Sequence, residues 1–187
     1  MVITTSPLVK TYRLQEFWDL PEPSDHSKLE LIKGVLYMTP PPDDPHNDAA
    51  SLLDGLLREE LKRCRYRGRI YVPRTALWID EDTYLEPDLM YISDELRAQM
   101  RPRHWTRAGI VVEIQSPKNA VYDRTTKSDT YQAMGVRELW LVDTEQNEIE
   151  VRSFEAGKTA IYKATDVLRS EVLPQIEIPL AAVLEIR

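Results

Sequence analysis

Apolar positions along the chain alternate between a helical period and a strand period, and the switches between them outline the fold. Leu14, Phe17, Trp18 and Leu20 are spaced as one face of a short amphipathic helix. Two apolar runs, residues 29–32 and 35–38, flank Lys33-Gly34. A two-residue turn ending in glycine predicts a β-hairpin, because glycine accepts the positive φ such turns require. Ala50, Leu53, Leu57, Leu61 and Cys64 then recur every three or four residues. They predict a long helix over residues 47–64 with one apolar face, capped by Asn47 or Asp48. Residues 70–79 read as one strand ended by Asp80-Glu81-Asp82; residues 88–92 begin another, and Asp94 caps a brief helix running to Met100. The nearly unbroken apolar run 109–114 suits a central strand buried on both faces. Residues 123–134 predict a helix that stops at Gly135, and residues 138–142 a further buried strand. From Glu148 onward, Ile149, Val151, Phe154 and Ile161 follow the alternation of antiparallel strands.

This order predicts an α/β (α+β) domain: a central mixed β-sheet flanked by helices, with extra antiparallel strands. A length of 187 residues suits one domain spanning 1–187. The proline-rich stretches 21–23 and 40–45 are short loops rather than linkers. Cys64 is the only cysteine, which excludes an intrachain disulfide and favours a reducing, cytoplasmic setting. No apolar run reaches the ~18 residues of a membrane span, and residues 1–10 lack the pattern of a secretory signal. The net charge of −7 does not favour tight binding to phosphates. One local basic stripe runs through Arg58, Lys62, Arg63, Arg65, Arg67 and Arg69, and it also reads as a solvated helix end.

The chemically odd residue is Glu113, which closes the most apolar strand. An ionised carboxylate there needs a cation, a hydrogen-bond network or water. Asp88 follows Glu86-Pro87 and opens a neighbouring strand, rigidly presented by the proline. Two carboxylates at adjacent strand ends suit one hard divalent cation, and magnesium takes few carboxylates plus waters and substrate phosphate. Other chemistries find no pattern: no glycine-rich phosphate loop, no zinc spacing, no glycines around Ser116 as in a nucleophile elbow.

Several segments taken together resemble a known family. Glu86-Pro87-Asp88, then Val112-Glu113-Ile114-Gln115-Ser116-Pro117, then Asp123, Lys127, Tyr131 and residues 135–143 are similar to the Uma2 family. Leu29-Glu30-Leu31-Ile32-Lys33-Gly34, Pro40-Pro41-Pro42 and His46 extend the likeness upstream, so that it covers roughly residues 12–180. The resemblance implies a restriction-endonuclease-like core of the PD-(D/E)XK type and a metal-dependent endonuclease acting on nucleic acid, most naturally DNA. It further implies that Asp88 and Glu113 hold Mg²⁺ or Mn²⁺, with Glu30 as a further ligand or as the group orienting a water. Gln115 occupies the position where the wider superfamily carries its catalytic lysine. In Uma2 the lysine is moved to the next helix, here Lys127. Glu113 and Gln115 share a strand face, and Asp123, Lys127 and Tyr131 share a helix face, so Lys127 can approach both if the helix packs over the strand.

Each residue keeps a plainer reading. Glu113 reads also as a paired structural acid, Asp88 as a turn acid, Glu30 as an outward hairpin residue, and Asp123 with Lys127 as a surface ion pair. Tyr131 and Trp140 read best as core aromatics, and His46 as a helix-terminal residue. A second function stays open beside cleavage: a nuclease-like fold that no longer cuts and serves as a binding or assembly module, favoured by Gln115 and the acidic charge. A homodimer is expected from apolar strand edges around Trp140 and residues 167–186.

Overall fold

The structure, a computed structural model, describes residues 9–116 and 120–184. Pro117 of the expected motif and Ile186 of the expected edge lie outside the described residues. The elements in chain order are α1 (Leu14–Trp18), β1 (Lys28–Ile32), β2 (Val35–Thr39), α2 (Asp44–Arg63), β3 (Gly68–Tyr71), β4 (Leu77–Ile79), β5 (Thr83–Leu85), β6 (Leu89–Ser93) and α3 (Asp94–Ala98). There follow β7 (Ile110–Gln115), α4 (Ala120–Tyr122), a π-helical turn (Asp123–Lys127), α5 (Ser128–Ala133), β8 (Glu138–Asp143), β9 (Glu148–Ser153), β10 (Lys158–Lys163), β11 (Val167–Leu168), β12 (Ile178–Pro179) and α6 (Ala181–Leu184).

A six-stranded sheet in the order β10-β9-β8-β7-β6-β3 forms the centre, and its one parallel pair is β7 with β8. Alternation along β7 sends Ile110, Val112 and Ile114 toward α2, where they join Ala49, Leu53 and Leu57 in the larger core. It sends Val111 to the opposite face, into the core that contains Tyr131, Leu139 and Leu141. Glu113, two residues on, shares that second face. A four-stranded sheet, β2-β1-β5-β4, stands beside this one. Its hairpin β1–β2 turns at Lys33 and Gly34, whose φ values of 49° and 78° are those of the tight turn expected from the sequence.

Three local readings are corrected. Residues 70–79 are two strands in two sheets, because Pro73 removes a ladder donor and Arg74 (φ 70°) turns the chain. Helix α2 begins earlier than residue 47, capped by Asp43, whose carboxylate accepts from the His46 amide at 3.1 Å; Pro45 occupies its first turn. Ser93, not Asp94, caps α3. Most of the apolar edge expected to pair two copies is interior: Trp140 is fully buried, and Leu168, Leu173, Ile176, Ile178 and Leu180 pack into the core beside α2, whereas Val167 is exposed. Among the described residues no helix is long and apolar enough to cross a membrane.

Candidate active site

Four acids and two lysines converge where β1, β6 and β7 meet the α4–α5 helical segment. Glu113 is 2% exposed, yet neither of its oxygens lacks a donor. Oε2 accepts from Lys127 Nζ at 2.9 Å, and Oε1 from the Tyr131 hydroxyl in a short bond. The same ammonium stands 3.1 Å from Glu30 Oε2 and 3.5 Å from Asp123 Oδ1. Lys127 is therefore a buried cation shared by three carboxylates. It closes a π-helical turn just before α5, a local widening that often accompanies functional sites. Tyr37 of the hairpin stacks on Tyr122 of α4 with centroids 4.7 Å apart, which fastens the smaller sheet to this helical segment.

Glu30 is fully buried behind the lysine. Its Oε1 accepts from the Glu86 amide at 3.0 Å, and Lys28, two residues earlier on the same strand face, donates to the Glu86 carbonyl at 2.7 Å. Asp88 follows at the start of β6. One oxygen, Oδ2, accepts from the Ile114 amide at 2.7 Å and is 3.1 Å from His46 Nε2. The other, Oδ1, has no hydrogen-bond partner among the described residues. Gln115 does not join the acids: its Nε2 donates to the Ala120 carbonyl at 3.3 Å and its Oε1 is buried without a partner among the described residues.

The charges are unequal, and this sets their proton affinities. Burial pushes Glu113 up to about 7, against the pull of Lys127 and Lys28, and the negative charges of Asp88 and Asp123 push the same way. Burial also raises Asp123. Glu30 feels the same desolvation, but Lys127, Lys28 and the Glu86 amide overcome it and hold it below its ordinary value. In Asp88, burial is outweighed by the His46 hydrogen bond and the charges of Lys28, His46 and Lys127, which hold it at about 2. Lys127 is desolvated, yet its carboxylate neighbours raise it well above an ordinary lysine. A lysine divided among three acids neutralises none of them fully, so the cluster retains negative charge.

A cavity of about 830 Å³ opens over this cluster, lined by Asp88, Glu113, Asp123, Lys127, Lys28 and His46 among others. Among the described residues no group of three or more His, Cys, Asp or Glu side chains is arranged to hold a metal ion by itself. A pair of donors still fits a hard cation that keeps most of its waters: of the cavity-lining carboxylates, Asp88 has a free oxygen and Glu113 stands beside it, in a pocket short of positive charge.

The structure thus brings Glu30, Glu113 and Lys127 into direct contact, places Asp88 in the same cavity, and turns Gln115 aside. Sequence reasoning passes over Lys28 as a site residue, prefers a helix terminus to a phosphate contact for His46, and prefers core to base stacking for Tyr131. The signal for Lys28 was present, since it lies on the same strand face as Glu30.

Comparison with known proteins gives a family and a fold. The profile of the Uma2 family, described as "Putative restriction endonuclease", matches residues 14–182. A crystal structure described as "a putative nuclease belonging to DUF820 from Anabaena variabilis ATCC 29413" superposes with a TM-score of 0.75 at 16% identity, covering 93% of this chain and 98% of that one. No curated protein matches the chain.

Proposed function

This chain belongs to the Uma2 family, and we propose that it is a divalent-metal-dependent endonuclease that hydrolyses phosphodiester bonds of nucleic acid, DNA in the first instance. The observation that carries the reading is the Lys127 ammonium held among Glu30, Glu113 and Asp123 beside the half-free carboxylate of Asp88. Asp88 and Glu113 would hold Mg²⁺ or Mn²⁺. When bound, such an ion supplies Lewis acidity toward a phosphate oxygen and lowers the pKa of a coordinated water.

The chain's own residues do the rest. The Ile114 amide and His46 fix the Asp88 carboxylate so that its second oxygen is the one presented to the cavity. Lys127, lining the cavity, offers its positive charge to the non-bridging oxygens of a phosphate, whose negative charge grows as water adds to phosphorus. Glu30 takes no part in that contact. It positions the lysine from behind, and Tyr131 fixes Glu113 in the same way. Gln115 ties the end of β7 to the start of α4. The lone, half-buried Cys64 suits a cytoplasmic setting.

One observation favours a second reading, a nuclease-like module that binds without cutting. Both oxygens of Glu113 are already engaged by protein donors, and the superfamily's lysine position is a glutamine facing away. Incubation of supercoiled plasmid and of single-stranded DNA with Mg²⁺ or Mn²⁺ decides between them. Nicking by the native chain that disappears in Asp88→Ala supports the nuclease. No cleavage by either supports the binding module.

A further inference from the structure

A second concavity, of about 970 Å³, lies next to the acidic cavity and differs from it in chemistry. Four arginines line it, Arg69, Arg74, Arg97 and Arg103, against a single acid, Asp94. In a chain with a net charge of −7 that is a strong local inversion. Asp94 is already bound to Arg97 at 3.1 Å, whereas Arg69 and Arg103 have no ion pair among the described residues. Arg97 Nε is buried and has no hydrogen-bond partner among them. The basic stripe expected at the end of α2 is not this surface. Arg58 and Arg63 are paired with Asp54 and Glu60 on their own helix, and of the six residues only Arg69 reaches the groove.

Aromatic rings alternate with the arginines. Tyr71 and Trp105 pack 5.4 Å apart, and the Arg97 guanidinium lies 5.8 Å from the Trp105 ring. Two residues, Arg74 and Tyr84, line both this groove and the acidic cavity. Trp78 of the groove meets Trp18 of the cavity edge-to-face at 5.8 Å, and Trp18 is half exposed. Guanidinium groups recognise phosphates of any nucleic acid. Rings add affinity only where base faces are free, because a duplex keeps those faces inside its own stack. The groove's own rings are half-buried, with Trp78 already stacked on His104 at 3.6 Å, and Trp18 at its edge is the more open one.

Resting on the nuclease reading above, we propose that this arginine–aromatic groove seats an unpaired nucleic-acid strand and leads it past Arg74 and Tyr84 to the acidic cavity. The substrate class is then single-stranded nucleic acid, or a strand locally opened from its complement.

Fluorescence anisotropy in EDTA, where cleavage is suppressed, tests the groove separately from the chemistry. The probes are a short labelled DNA strand of mixed sequence, the RNA of the same sequence, and the DNA strand annealed to its complement. The native chain should bind at least one single strand on the order of tenfold tighter than the duplex. The double variant Arg69→Gln/Arg103→Gln, confined to exposed and unpaired side chains, should weaken binding on the order of tenfold and flatten the salt dependence by about 1.4 log units per log unit of salt. Lys62→Gln/Arg65→Gln makes the same charge change outside the groove and should leave binding unchanged. Preference for the duplex, or equal losses in the two double variants, would overturn the groove. Strand binding through the groove without cleavage in Mg²⁺ would uphold the groove and overturn the nuclease. Cleavage that is indifferent to the groove variants would do the reverse.

Discussion

Two glutamates are buried on the adjacent parallel strands β7 and β8, and they are held in opposite ways. Glu138 opens β8 with no exposed surface. Its Oε2 accepts from Trp140 Nε1 at 3.0 Å and from the Ser170 hydroxyl at 2.6 Å, and its Oε1 from the Glu171 amide at 2.7 Å. All three donors are neutral, so the carboxylate locks the C-terminal segment onto the sheet. Glu113, within β7, is held by one neutral donor and one shared cation, faces a cavity, and has Asp88 and Asp123 as neighbours. Burial alone does not separate a structural acid from a working one. The difference is that Glu138 has its hydrogen bonds met by its surroundings, whereas Glu113 belongs to a group whose charge is left in excess.

The sharpest way to break that contrast is to remove the shared cation. Lys127→Met leaves Glu30, Glu113 and Asp123 without it. Denaturant melts in EDTA should show a loss of ~3–5 kcal/mol, as for breaking other buried ion pairs. Lys158→Met, in the exposed pair with Glu171, should cost under ~1 kcal/mol. Asp88→Asn keeps the shape of the site but removes a full charge; plasmid nicking should fall by about a hundredfold or more. The melting temperature should drop modestly, because the charge that His46 and the Ile114 amide hold is gone.

The metal-free protein should also respond to pH through Glu113. Its folded pKa of about 7 is above its ordinary 4.5, so the stability it contributes is complete below pH 4.5 and is lost as pH rises through 7. The slope between pH 5 and 7 should amount to ~1–3 kcal/mol, and Glu113→Gln should flatten it. Asp88, held at about 2, acts in the opposite sense and in a separate window, losing its contribution as pH falls below its ordinary 3.8 toward 2. A smaller effect than that of Lys127 belongs to the structural acid's surroundings. Ser170→Ala removes a donor to Glu138 and an acceptor for the Val172 and Leu173 amides; melts should show ~1–2 kcal/mol lost with nicking unchanged.

Much of this was legible along the chain, for local reasons. The apolar face of α2, the doubly buried β7 and the tight β1–β2 turn each follow from a period or a turn that nearby residues specify. Glu113 stood out because a carboxylate ends so apolar a strand, and Asp88 because proline precedes it. The contact of Lys127 with Glu113 bridges 14 positions and depends on how a helix packs over a strand, which spacing permits but does not determine. Pro73 and Arg74 divide residues 70–79 between two sheets, a choice made by tertiary pairing. Glu138 gave no sign of being a buried lock, since its partners Ser170 and Glu171 are more than thirty residues away. The arginine–aromatic groove was hidden for the same reason: Arg69, Arg74, Arg97 and Arg103 come from separate segments and converge only in the fold.

The most direct measurement sets Glu113→Gln beside Glu138→Gln, each assayed for thermal melting and for Mn²⁺-dependent plasmid nicking. Glu113→Gln should lose nicking while melting at or above the native temperature, and Glu138→Gln should melt lower while nicking normally when folded. If Glu138→Gln instead abolished nicking in a fully folded protein while Glu113→Gln cut normally, the assignment of the working acid would be contradicted.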